Sequence, residues 1–208
     1  MEVHKFISLF GKNEAEKIEV LSYQYVGRKK VVTYVPLNYV DKLTFEMSFA
    51  GAGKIGNYDM CTFRMKGLGT YLPGSKSNPF AGKKGKLSFE EEVRLEIETS
   101  EHDLDKVIDA LLANHPYEEV AYEVYDFRKR SGEPSTVFIS FRKPMTLKEI
   151  ISRVNRKIQS ANLIANAKLK NICFTVNTDE KMLATTLKEK NCKLLVISEQ
   201  NKIKFKYI

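Results

Sequence analysis

Leu37-Asn-Tyr-Val-Asp-Lys-Leu-Thr-Phe-Glu-Met-Ser-Phe-Ala-Gly-Ala-Gly-Lys-Ile-Gly-Asn-Tyr-Asp-Met-Cys61 is the stretch on which the fold turns. Val40, Leu43, Met47 and Ala50 recur at three- and four-residue intervals, which gathers them on one helical face and predicts that this face packs on a sheet. Gly51 follows where the pattern stops, and glycine closes helices because it accepts positive φ. Before the helix, Lys30-Val-Val-Thr-Tyr-Val35 reads as a strand ended by Pro36. After it, Tyr58 to Met65 and Glu91 to Glu98 alternate in polarity as half-buried strands do. Gly67 to Lys86, rich in Gly, Pro, Ser and Lys, reads as a long hairpin arm or loop between them.

A second helix opens at Ser100 or Glu101, with Leu104, Val107, Ile108, Leu111 and Leu112 as its buried stripe. It stops before Pro116, because the residue preceding a proline is pushed out of helical geometry. Val120 to Phe127 is the returning strand. The order β-α-β-β-α-β predicts an α+β fold of the ferredoxin-like type, an antiparallel sheet with two helices on one face.

Residues 1–29 form a short N-terminal segment with an amphipathic opening, Phe6 to Phe10; 30–128 form the ferredoxin-type domain; 129–143 form a linker with a strand at Val137 to Phe141. Residues 144–208 form a small basic α/β lobe. Its helix runs from Met145 to Ile158 and buries Leu147, Ile150, Ile151, Val154 and Ile158. Asn171 to Val176, Asp179 to Asn191 and Lys193 to Ser198 then give a βαβ unit with a parallel crossover, and Lys202 to Ile208 adds an edge strand.

Composition narrows the classes. The 208 residues are 43% apolar and 29% charged, as in a globular protein. No apolar run approaches the ~18 residues of a membrane span, and the opening residues lack a signal-peptide layout, so no membrane partner and a cytoplasmic location are expected. Cys61, Cys173 and Cys192 have no CxxC spacing and predict neither a disulfide framework nor a zinc knuckle. The net charge of +8 lies wholly after residue 143, where 13 Lys or Arg face 5 Asp or Glu; the residues before it carry 21 of each. Such a lobe could attract nucleic acid through Arg153, Arg156 and Lys157. The competing reading is a solvated lysine-rich surface, since the aromatic interleaving of RNA-binding modules is missing.

Residues 30–127, with Gly51-Ala-Gly-Lys-Ile-Gly-Asn-Tyr-Asp-Met-Cys-Thr-Phe63, Gly67-Leu-Gly-Thr-Tyr-Leu-Pro73 and His115-Pro-Tyr-Glu-Glu-Val-Ala-Tyr-Glu-Val-Tyr-Asp-Phe127, resemble the domain inserted into bacterial members of the Nif-three-like dinuclear-metal-centre family. That domain is similar to the trimeric CutA and PII proteins. Phe6 to Val20 resembles the tail of the family's first half, Pro144 to Ile151 its point of re-entry, and residues 171–199 a shortened second half. The resemblance implies a CutA/PII-like ferredoxin-type domain and a trimer-like homo-oligomer. In the parent family it also implies a two-metal pocket, in some members with cyclohydrolase-like activity. No residue here can be carried over as a ligand of that pocket. Val176-Asn-Thr-Asp179 replaces the family's glycine-rich turn, Ser198-Glu-Gln-Asn201 stands where acidic and histidine ligands are expected, and His4, His102 and His115 are too few and too scattered.

Two local constellations remain. Gly51, Gly53 and Gly56, with Asn57 and Tyr58, either present backbone N–H groups to an anion or simply permit a tight helix-to-strand turn; Asp59 would repel phosphate. Cys61, His115, Glu118 and Glu119 either meet around one divalent metal ion or comprise a small buried thiol and a helix-terminal imidazole. Tyr117 counts with the glycine turn as a candidate ligand contact, although packing suits it better. His102-Asp103 faces two ways on a helix, and no serine sits in a nucleophile elbow. Thr178, with Asp179 and Glu180 behind it, reads as a helix start unfriendly to phosphate. The expectation is therefore a non-catalytic, oligomeric binding or regulatory protein. A metal-dependent hydrolase and a nucleic-acid-associated module are the alternatives.

Overall fold

Residues 1–154, 158–159, 166–176, 180–199 and 202–208 are described by a computed structural model. The chain falls into two compact units, Val26–Lys129 and a second made of Met1–Tyr25 with Arg130–Ile208. Two long strands, β1 (Ala15–Pro36) and β4 (Tyr122–Thr146), contribute residues to both.

In the unit Val26–Lys129, β1 leads through a 3-10 turn, Leu37–Tyr39, into α2 (Val40–Phe49), followed by β2 (Thr62–Tyr71), β3 (Ser88–Thr99), α3 (Leu104–Asn114) and β4. The hydrogen-bonded order is β2-β3-β1-β4, with β3 antiparallel to both neighbours. This is the ferredoxin-like arrangement. Strand alternation makes the two faces distinct. Val31, Val35, Val93, Leu95 and Ile97 point one way and bury against Val40, Leu43 and Met47 of α2 and Val107 and Leu111 of α3. Leu112 is exposed, because it lies one residue beyond the stripe. The opposite face carries Tyr34, Glu92, Arg94, Glu96 and, across the register, Met65 and Gly67. The arm is shorter than the sequence suggests: β2 and β3 stay paired out to Tyr71 and Ser88, leaving residues 72–87 as the loop.

In the other unit, α1 (Val3–Ile7) and α4 (Leu147–Val154) cover one face of strands ordered β1-β4-β6-β7-β8-β5, where β5 is Ile158–Gln159, β6 Lys168–Thr175, β7 Leu194–Glu199 and β8 Lys202–Tyr207. Phe6 stacks on Phe174 at 4.2 Å. α5 (Glu180–Glu189) buries Leu183 and Leu187 with Phe138, Cys173, Leu195 and Ile197 on the other face. β6 and β7 are parallel neighbours joined by α5, as the βαβ reading requires. The helix expected over residues 145–158 is described over Leu147–Val154, Ile158 belongs to β5, and β8 is not an edge, since β5 pairs with it. Residues 1–25 do not stand apart as a separate segment: Val3, Phe6, Phe10 and Ala15 share a core with Ile139, Phe141, Leu147, Ile150 and Leu169. The strand expected to begin at Lys30 begins at Ala15, and the expected linker 129–134 is strand. The expected helix cap at Thr178 and Asp179 lies outside the described residues.

Candidate functional site

The glycine turn and the His115–Glu119 segment, about fifty residues apart in the sequence, meet β3 at different places, the first at its C-terminal end and the second near its middle. Gly53 N–H donates to the Glu98 carbonyl at 2.8 Å, and Cys61 N–H returns to the Gly53 carbonyl at 2.8 Å. His115 instead meets Tyr34, whose register partner on β3 is Arg94, and Tyr117 meets Glu92. Four to six residues of strand separate the two places, roughly 13–20 Å. Within one chain they do not form a common site.

Gly51, Gly53 and Gly56 have φ of 113°, 72° and 59°. A Cβ on Gly53 would stand 3.1 Å from Cys61 N, so turn geometry alone explains the residue there. Ile55 and Tyr58 exchange backbone hydrogen bonds at 2.9 and 3.0 Å, making Gly56-Asn57 the tip of a miniature hairpin. Tyr58 does not pack the turn: it is 74% exposed.

The metal reading meets a plain obstacle. Among the described residues, no three His, Cys, Asp or Glu side chains gather as a metal-holding group. The two-metal pocket implied by the family resemblance does not fit these residues either. His115 is buried, and both of its nitrogens are engaged. Tyr117 N–H donates to Nδ1 at 3.1 Å, so Nε2 carries the proton and donates to the Tyr34 carbonyl at 3.0 Å. Burial holds its pKa below the ordinary 6.5, against the upward pull of the Tyr34 carbonyl and Glu92. Cys61 lies 3.9 Å from the Asp59 carbonyl. Glu118 accepts from Asn78 N–H at 2.6 Å and so pins the arm.

A cavity of about 630 Å³ lies at the His115–Glu119 end, between the sheet face away from the helices and the arm. Met65, Leu72, Pro73, Pro79 and Phe80 supply apolar surface. Phe80 is held edge-on by Tyr39 at 5.7 Å and tilted against Tyr117 at 5.8 Å. Polar groups enter from the strands and from the segment after α3: Tyr34, Glu92 and Arg94 from the sheet, Tyr117, Glu118 and Glu119 from the turn. Arg94 is already committed, donating to Glu96 at 3.0 Å and to the Tyr34 hydroxyl at 2.9 Å. Glu92 accepts from the Tyr117 hydroxyl at 2.8 Å and lies over Gly69, where a Cβ would collide with its Oε2. Burial, then the Glu92 hydrogen bond, pushes the Tyr117 phenol well above its usual range. Tyr71 is raised too, by burial and by Glu90 and Glu92.

Sequence reasoning named Tyr117, Glu118 and Glu119 but missed Tyr34, Glu92, Arg94 and Phe80, which come from separate elements. One signal was present: Gly67 and Gly69 sit across the register from Glu92 and Glu90, a strand face bare of side chains beside one with carboxylates.

In the other unit, Arg153 does not stand free for nucleic acid. It grips both oxygens of Glu14 at 2.7 Å, donates to the Leu9 carbonyl at 3.3 Å and lies over the Phe10 ring. Arg156 and Lys157 lie outside the described residues.

No family model matches the chain. A protein of Halalkalibacterium halodurans named GTP cyclohydrolase 1 type 2 homolog is 39% identical over 128 residues, 61% of this chain and 34% of that protein. The Bacillus subtilis protein of the same name is 36% identical over 147 residues, 70% of this chain and 39% of its own length. The chain thus matches about a third to two fifths of these relatives. The solved structure of a Bacillus cereus protein related to NIF3 superposes with a TM-score of 0.53 at 25% identity, covering 97% of this chain and 57% of that one. With the ferredoxin-like unit in place beside these matches, the chain is similar to the NIF3-related proteins over the stretch it shares with them.

Proposed function

We propose that the chain is a binding or regulatory protein without catalysis of its own, and that the unit Val26–Lys129 holds a small ligand in the cavity beneath the arm. The cavity carries this reading: about 630 Å³ lies within the range of small-molecule sites, with mostly apolar walls and a few convergent polar groups. The arm is tied down by Asn78 to Glu118 and by Phe80 to Tyr39 and Tyr117, so ligand occupancy would be felt by a segment that can report it. A cytoplasmic homo-oligomer is part of the same proposal. β2 is the outermost strand of its unit and exposes Phe63, Met65 and Leu68, surface that a second copy would cover. No helix among the described residues is long and apolar enough to cross a membrane.

The name of the relatives favours a second reading, a cyclohydrolase-like enzyme. It would need ligands drawn from outside the matched third of the relatives or from another copy.

The test uses Nile red, a neutral flat dye whose emission rises in apolar surroundings, with the whole chain and with Ala81→Phe, which fills the cavity from the arm. Saturable binding that Ala81→Phe reduces at least several-fold supports the reading. Absence of binding, or indifference to Ala81→Phe, overturns it. Solution mass tests the oligomer separately, a monomer overturning that part.

A further inference from the structure

The charges around the cavity are lopsided in a way that assigns a ligand class. Three carboxylates line it, Glu92, Glu118 and Glu119. Two cations do as well, but neither is free to serve a ligand inside. Arg94 is bound to Glu96, which also takes Lys30 at 2.8 Å, and its remaining reach goes to the Tyr34 hydroxyl. Lys66 faces the other way: its register partner is Val93, whose side chain is in the helix-side core, so strand alternation sends Lys66 to that face and away from Glu92 and Arg94.

The hydrogen-bonding groups repeat the bias. Glu92 and Glu118 each receive one neutral donor, the Tyr117 hydroxyl and the Asn78 N–H. A neutral donor satisfies one lone pair of a carboxylate and leaves its charge unopposed. Glu92 also fills the space beside Gly69 that a Cβ would take, so one flank of the carboxylate lies against protein rather than water. An anion entering would meet these charges in a partly desolvated space, where like charges repel more strongly than in bulk water. A cation or an N–H-rich edge would gain charge-assisted hydrogen bonds there.

We infer that this cavity selects a flat, largely apolar molecule bearing a cationic or N–H-rich edge, such as an amidine, a guanidine or a protonated amine, and rejects phosphorylated ligands. Glu92 receives that edge, with Phe80 and Tyr117 flanking the flat body. The inference rests on the cavity being a ligand site, and it goes further by excluding nucleotides from it.

Titration calorimetry of the whole chain tests it with three isosteric probes, benzamidine, benzamide and benzoate, and with ATP. Benzamidine is expected to bind about tenfold more tightly than benzamide, as one charge-assisted hydrogen bond implies, with benzoate and ATP giving no saturable heat at the cavity. Glu92→Gln is expected to abolish the difference between benzamidine and benzamide, with an unchanged circular dichroism spectrum showing that the variant is folded. Benzoate or ATP binding as well as benzamidine, with Ala81→Phe abolishing both, overturns the inference. So does a benzamidine preference that survives Glu92→Gln. If Nile red binds in an Ala81-dependent way while the three probes bind alike, the ligand site stands and the charge selection falls. If nothing binds, both fall.

Discussion

The hydroxyl of Tyr117 donates to Glu92 Oε1 at 2.8 Å, and this bond joins the turn after α3 to the middle of the sheet. A phenol facing carboxylates in a partly buried place resists ionisation. Alkaline difference spectroscopy should therefore show tyrosine that stays protonated well above the ordinary phenol pKa of about 10. Tyr117→Phe should diminish that late component, leaving the part due to Tyr71, and cost about 1 kcal/mol. Because the folded pKa lies above the unfolded one, this contribution is complete below pH 10 and declines above it; a titration identical in the variant would refute the assignment.

His115 predicts an acid-side effect of opposite origin. Its folded pKa is depressed by burial, so below the ordinary 6.5 the unfolded chain binds the additional proton. Stability should be undiminished above pH 6.5 and fall as the pH drops below it. His115→Ala should cost about 2 kcal/mol by stranding the Tyr34 carbonyl and Tyr117 N–H, and should flatten thermal melts between pH 7 and 5. A variant that keeps the wild-type slope would show that another group sets it.

Glu14 and Arg153 tie the segment after α1 to α4. The Arg153 hydrogen bonds, then the Gly11 N–H, lower the Glu14 pKa from 4.5 to about 2. Its stabilising effect is present above pH 4.5 and is lost as the pH falls from there to 2. Arg153→Ala should lower the melting temperature at neutral pH and shift the acid unfolding midpoint upward. Nucleic-acid binding, if a mobility-shift assay finds any, should not depend on Arg153 alone, because its guanidinium is spoken for.

Two glycines of the turn make a matched pair. At Gly53, positive φ and the approach of Cys61 N, Met60 Cα and Ile97 Cδ1 act together; at Gly56, positive φ acts in open space. Gly53→Ala should cost about 3 kcal/mol and Gly56→Ala about 1 kcal/mol by denaturant unfolding. Equal costs would mean that crowding plays no part.

The three thiols should separate by access. Cys61 is partly exposed, while Cys173 and Cys192 are buried in the α5 side of their unit. A disulfide reagent should titrate one thiol in the native protein and three after unfolding. Three rapid reactions would contradict that core.

The elements legible in the sequence were those with one wet face and one dry face. Val40, Leu43 and Met47 announce α2, and Val93, Leu95 and Ile97 announce β3, because burial on one side stamps a period on the chain. β1 and β4 were read far too short. Between Glu16 and Gly27 apolar and polar residues do not keep a strict period of two, and Gly132 and Pro134 look like loop residues although both lie within β4. The candidate site was half legible. His115-Pro-Tyr-Glu-Glu119 is contiguous and conspicuous, whereas Tyr34, Glu92, Arg94 and Phe80 become neighbours only through pairing across strands, which no local pattern encodes.

The way the chain enters and leaves Val26–Lys129 carries a genetic consequence. Ser131 donates to the Gln24 carbonyl at 3.1 Å, and Gln24 in turn donates to Pro134, so the two points of departure lie side by side on neighbouring strands. A deletion of the intervening codons, closed by a two-residue turn such as Asn-Gly, would leave a continuous hairpin in place of a whole unit. A gene could gain or lose the unit Val26–Lys129 in a single event without breaking the reading of the rest.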